Sequence, residues 1–126
     1  MRSVDRRAEE APAVRLRARP SRSRLSQSLE SCITICSETL SAYLDPAEAG
    51  ENAFGQTLLS AIAAMQTAVS HDSDSPAERR FAALEIAAKL CHSAAEQCRR
   101  HGLDEQLLRA AAACEGAATL CENALR

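Results

Sequence analysis

Every one of the six cysteines in this chain of 126 residues falls on an apolar stripe with helical spacing. Four segments carry such stripes, with apolar residues alternating by three and four positions, the repeat that puts side chains on one face of an α-helix. The first segment, 21–44, presents Leu25, Leu29, Cys32, Cys36, Thr39 and Tyr43; the second, 52–70, presents Phe54, Leu58, Ala61 or Ile62, Met65, and Ala68 or Val69. The third presents Phe81, Leu84, Ala88, Cys91, Ala95 and Cys98, and the fourth Leu107, Ala111, Cys114, Ala118, Cys121 and Leu125. Alanine is the commonest residue and only three aromatics occur, a balance that favours helices over β-sandwiches and barrels.

Start and stop signals divide the four segments. Asp45-Pro46-Ala47-Glu48 offers a capping acid, a proline suited to a first turn and a glutamate three positions after the cap, while Gly50 and Gly55 predict a loose junction before the second helix. His71-Asp72-Ser73-Asp74 marks its end, and Ser75-Pro76-Ala77-Glu78 is the clearest start in the chain. Arg99-Arg100-His101-Gly102 closes the third helix with cations and a glycine, after which Asp104 caps the fourth. Segments of about 20 residues, each near 30 Å long and joined by short connections, predict an all-α, up-down-up-down antiparallel four-helix bundle over 25–126.

Charge separates the bundle from what precedes it. Residues 1–24 hold eight arginines against three acids, and the remainder holds seven bases against fourteen acids. A basic, proline-containing arm of this composition buries too little apolar surface to order itself, so 1–24 is expected to be disordered. It lacks the apolar core of a secretory signal, which makes a reducing compartment, the cytoplasm, the expectation. No apolar run approaches the ~20 residues of a membrane span. The acidic body has no basic face or stacking aromatics, so no dedicated nucleic-acid binding is expected. Leu90, Ala87 and Ala94, assigned to outer positions, make a homo-oligomer an expectation.

The cysteine register carries the functional argument. Cys32 and Cys36 share one face about one turn apart, and the pairs Cys91/Cys98 and Cys114/Cys121 are each seven apart. In an antiparallel hairpin, residues at equal height have a constant sum of numbers, which pairs Cys98 with Cys114 and Cys91 with Cys121. Levelling the first and third helices at their C-terminal ends then predicts a central cluster of Cys32, Cys36, Cys91 and Cys121, with Cys98 and Cys114 nearer the end that carries His101. Inward thiols of this kind suit three roles. They are small packing residues, cross-helix disulfides, or soft ligands for Cu(I) or Zn(II), with a four-thiol cluster suiting tetrahedral zinc. An iron–sulfur cluster fits least, because no loop gathers several cysteines.

Cys32-Ile33-Thr34-Ile35-Cys36, the stretch from Ala94 to His101 and the stretch from Ala112 to Glu122 resemble the four-helix-bundle, cysteine-rich copper-storage proteins. The resemblance covers about residues 25–126 and is strongest over the last two helices. It implies a bundle that holds Cu(I) by thiolate pairs, with Cys32, Cys36, Cys91, Cys98, Cys114 and Cys121 as metal ligands and His101 matching a histidine near the bundle mouth. The chain departs from that family in having fewer cysteines and none on the second helix, which implies low capacity. By their own positions, His101 is a helix-terminal cation, His71 and His92 lie off the stripes, and Met65 is core filler.

No enzyme is expected. His92 follows Cys91 directly, which turns the two side chains about 100° apart on a helix. Glu-x-x-His, His-Glu-x-x-His, Gly-x-Ser-x-Gly and a glycine-rich phosphate loop do not occur. A Cu(I)-sequestering bundle and a metal-free helical interaction module both remain open at this point.

Overall fold

The computed structural model describes residues 23–72 and 76–126. Four long helices, α1 (Arg24–Tyr43), α3 (Ala53–Ser70), α4 (Ala77–His101) and α5 (Glu105–Ala124), form an all-α bundle, with a single turn, α2 (Pro46–Ala49), ahead of α3. Each long helix packs on the next, and α5 returns to close on α1. The result is an antiparallel up-down-up-down bundle with α1 and α4 on a diagonal. The predicted disorder of 1–24 concerns residues almost all outside the described set, apart from Ser23, which caps α1, and Arg24, its first residue.

Local chemistry explains most boundaries. The Ser23 hydroxyl accepts the Ser26 amide at 3.0 Å, Asn52 accepts those of Phe54 and Gly55, and Asp104 accepts that of Leu107 at 3.0 Å. The start signal at Asp45 yields only α2, and α3 is begun by Asn52. The fourth boundary departs from expectation. Pro46 is the first residue of α2, but Pro76 occupies the cap position of α4, where its carbonyl accepts the Arg79 and Arg80 amides. The predicted cap, Ser75, lies outside the described residues. Gly102 follows α4 as expected, in extended rather than left-handed backbone (φ 171°, ψ −179°).

Gly55 corrects the reading of a loose junction. It is buried in the first turn of α3, and a Cβ there would overlap the Ala49 carbonyl oxygen and come within 2.9 Å of the Ala49 Cα. Glycine lets α2 seat against α3 at backbone contact.

The stripes become the core with three adjustments. Phe81 is 46 % exposed, and Ala83, Ala87 and Ala94 are buried in its stead. The physical reason is that α4 lies between α3 and α5 and so buries two flanks, each lined by alanine. Ala87 and Ala94 are therefore internal, and the face assigned to self-association does not exist as drawn. The third adjustment is Ser26, which is buried and whose hydroxyl donates to the Asp72 carboxylate at 2.6 Å. Thr39, fully buried, donates to the Ile35 carbonyl at 2.7 Å and accepts from Gln106 Nε2 at 2.7 Å.

Candidate metal centre

All six cysteines are free thiols buried in the bundle interior. They come from α1, α4 and α5, while α3 contributes Leu58, Ala61 and a fully buried Met65 to the core. Three of the sulfurs meet. Cys36 Sγ lies 3.4 Å from Cys114 Sγ, Cys32 Sγ lies 3.9 Å from Cys114 Sγ, and Cys32 and Cys36 are 4.0 Å apart.

This trio is not the cluster expected from sequence. Cys114 joins Cys32 and Cys36, whereas Cys91 and Cys121 do not enter the group and Cys98 makes no hydrogen bond to Cys114 among the described residues. The cause is the direct packing of α1 on α5. The Tyr43 hydroxyl donates to Asp104 and Gln106 donates to Thr39, so Thr39 is level with Gln106. One and two turns down α1 come Cys36 and Cys32; about two turns down α5 comes Cys114. Levelling helices by their ends alone misses this register.

Electrostatics distinguish the trio from the other thiols. At Cys32 the sulfur contacts with Cys114 and then Cys36 favour the thiolate and outweigh burial, holding its pKa well below the ordinary thiol range. Cys114 is pushed strongly up by the same two neighbours and by burial. At Cys36 the bond to Cys114 pulls down, but Cys32 and burial push harder, and the thiol form wins. Burial first, then the charge of Cys32, pushes Cys91 up to about 12 and Cys98 and Cys121 up to about 11. Cys91 also feels the charge of Cys121.

The triangle has the size of a metal site. A point in its plane equidistant from the three sulfurs lies about 2.2 Å from each, against roughly 2.3 Å for a zinc–thiolate bond. Among the described residues no fourth cysteine, histidine, aspartate or glutamate places a ligand atom within 4.8 Å of all three. The four-thiol tetrahedron expected for zinc is not assembled.

The histidines lie elsewhere. His92 is exposed and bonds Glu122 at 3.0 Å across α4 and α5. His101, exposed at the end of α4, stacks on Phe54 with ring centroids 4.2 Å apart and meets Tyr43 edge-on at 5.7 Å. Tyr43, then the Leu107 amide and the charge of His101, hold the Asp104 carboxyl below its ordinary value. None of the three histidines belongs to the thiol trio.

A helical bundle whose interior gathers buried sulfur donors has the donor set that a soft metal ion would need. The profile of the copper storage protein family matches residues 18–126, and this chain belongs to that family. No match was found among curated proteins or among solved structures. No helix among the described residues is long and apolar enough to cross a membrane.

Proposed function

We propose that this protein sequesters Cu(I) through its inward thiolates, with Cys32, Cys36 and Cys114 as the principal site and Cys91, Cys98 and Cys121 as further ligands. The carrying observation is the buried sulfur triangle with sides of 3.4 to 4.0 Å. Three sulfur ligands with no fourth cysteine, histidine or carboxylate beside them among the described residues suit a soft monovalent ion better than Zn(II), which in closed structural sites takes four ligands. Six cysteines, with none on α3, support low capacity. Free thiols support residence in a reducing compartment such as the cytoplasm.

The test is anaerobic titration of the reduced protein with Cu(I) against a competing chelator, counting bound metal and free thiols at each addition. The expected result is tight uptake of at least two ions with loss of thiol reactivity, and weaker retention of Zn(II) in a parallel titration. A protein that stays folded, takes up no copper and keeps six reactive thiols on unfolding would leave the cysteines as packing residues of a helical scaffold.

A further inference from the structure

The trio contains a second chemistry that does not need a metal. Cys114 comes from α5 and the other two cysteines from α1, so Cys36 and Cys114, with sulfurs 3.4 Å apart, form a cross-helix pair. A disulfide has a sulfur–sulfur length near 2.05 Å, so the pair must close by about 1.4 Å, within the reach of small side-chain and helix adjustments. Cys32 and Cys36, four apart on one straight helix at 4.0 Å, have poor geometry for the same bond. Cys32 and Cys114 start further apart, at 3.9 Å. Among the described residues no other two cysteines have sulfurs within hydrogen-bonding distance.

We infer that Cys36 and Cys114 are a redox couple that hydroperoxides convert to an intramolecular disulfide joining α1 to α5. Two S–H bonds break and one S–S bond forms. The two thiols lose two electrons and two protons, and hydrogen peroxide takes up both, its O–O bond breaking to leave two waters. Both sulfurs are fully buried, so a small uncharged oxidant reaches them during local opening of α1 against α5, which also lifts the burial that keeps them protonated and lets one ionise to the thiolate that attacks the peroxide. The bond removes two of the trio's three donors. On the copper reading, which this consequence rests on, oxidation therefore closes the principal site and reduction reopens it.

The experiment treats the metal-free, reduced full-length protein with hydrogen peroxide, blocks remaining thiols, and maps linked peptides by mass spectrometry without reductant. Wild type and Cys32→Ala should each lose two thiols and yield the peptide pair joined at Cys36 and Cys114. Cys114→Ala should keep its thiols at peroxide doses that oxidise wild type. Retention of all six thiols, links between chains, direct passage to sulfinic acid, or a dominant link at another pair overturns the couple. A Cu(I) titration of the oxidised protein before and after dithiothreitol then tests the consequence. Uptake should fall on oxidation and return on reduction, and uptake unchanged by a mapped disulfide would overturn the gate. Absence of copper uptake even in the reduced protein would instead count against the copper reading, with the disulfide map standing by itself.

Discussion

At the scale of single residues, Cys114 holds the site together, because it bridges two cysteines that their own helix leaves 4.0 Å apart. Replacing it by alanine deletes one buried sulfur, a change expected to cost about 1 kcal/mol of stability, while removing the shared partner of Cys32 and Cys36. Chelator competition should show the most tightly held Cu(I) lost in Cys114→Ala and retained in Cys98→Ala. Equal loss in the two variants would mean that the trio is not the principal site. Metal binding also displaces the protons of any thiol it takes as a ligand, so loading the trio should release protons with the first ion, measurable by a pH-stat in unbuffered solution. That the six cysteines face inward was legible in sequence, since stripe membership is a local property of helical spacing. Which of them touch was not. The register of Cys114 against Cys32 and Cys36 is set by Tyr43 on Asp104 and Thr39 on Gln106, contacts between residues 61 and 67 positions apart, and a hydroxyl meeting an amide across two helices leaves no periodic trace.

At the scale of elements, the junction before α3 tests whether close backbone contact or helix propensity decides stability. Gly55→Ala gains up to about 1 kcal/mol in helix propensity, yet its new methyl group overlaps the Ala49 carbonyl oxygen, a backbone atom that cannot rotate away. Overpacking typically costs 1 to 3 kcal/mol, so a net loss of about 1 kcal/mol is expected in denaturant unfolding. Asn52→Ala should lose about 1 kcal/mol by freeing the Phe54 and Gly55 amides of their cap. A Gly55→Ala variant as stable as wild type would show that α2 moves aside without cost. These cases also show what sequence conveyed about the elements. Asp104, the cap expected from sequence, does cap α5, whereas Asn52, placed inside the second segment, takes the cap of α3. Gly55 could be taken for a loosening residue because nothing near it in sequence shows that α2 folds back over it. Phe81 fits the spacing of its stripe but lies outward, while α4, packed against both α3 and α5, buries Ala83, Ala87 and Ala94.

At the scale of the whole molecule, the interior couples fold stability to thiol protonation. The bundle itself was legible because four stripes, four short connections and local caps agree on one topology, whereas the shared electrostatics of six buried sulfurs arise only when three helices are brought together. Cys91, Cys98 and Cys121 hold their protons to about 12, 11 and 11 in the folded chain, against an ordinary value of 9.0. The folded state therefore keeps protons that the unfolded chain releases once pH passes 9. Their contribution is fully present below the ordinary thiol value and is lost as pH rises through 11 and 12. Each tenfold difference in proton affinity is worth about 1.4 kcal/mol, so three such groups weigh heavily in a small domain whose total stability is about 5 to 15 kcal/mol. Cys32 acts in the opposite sense, since its lowered value adds stability above the ordinary thiol range that is lost as pH falls, so its effect adds nothing to the alkaline fall. Metal-free, reduced protein should accordingly show a melting temperature that declines steeply above pH 9, followed by circular dichroism under anaerobic conditions. A variant with alanine at Cys91, Cys98 and Cys121 should start less stable but decline along a shallower slope. Parallel slopes would place the alkaline sensitivity outside these thiols. Loading with Cu(I) should flatten the wild-type slope too, because a metal-bound thiolate has no proton left to lose.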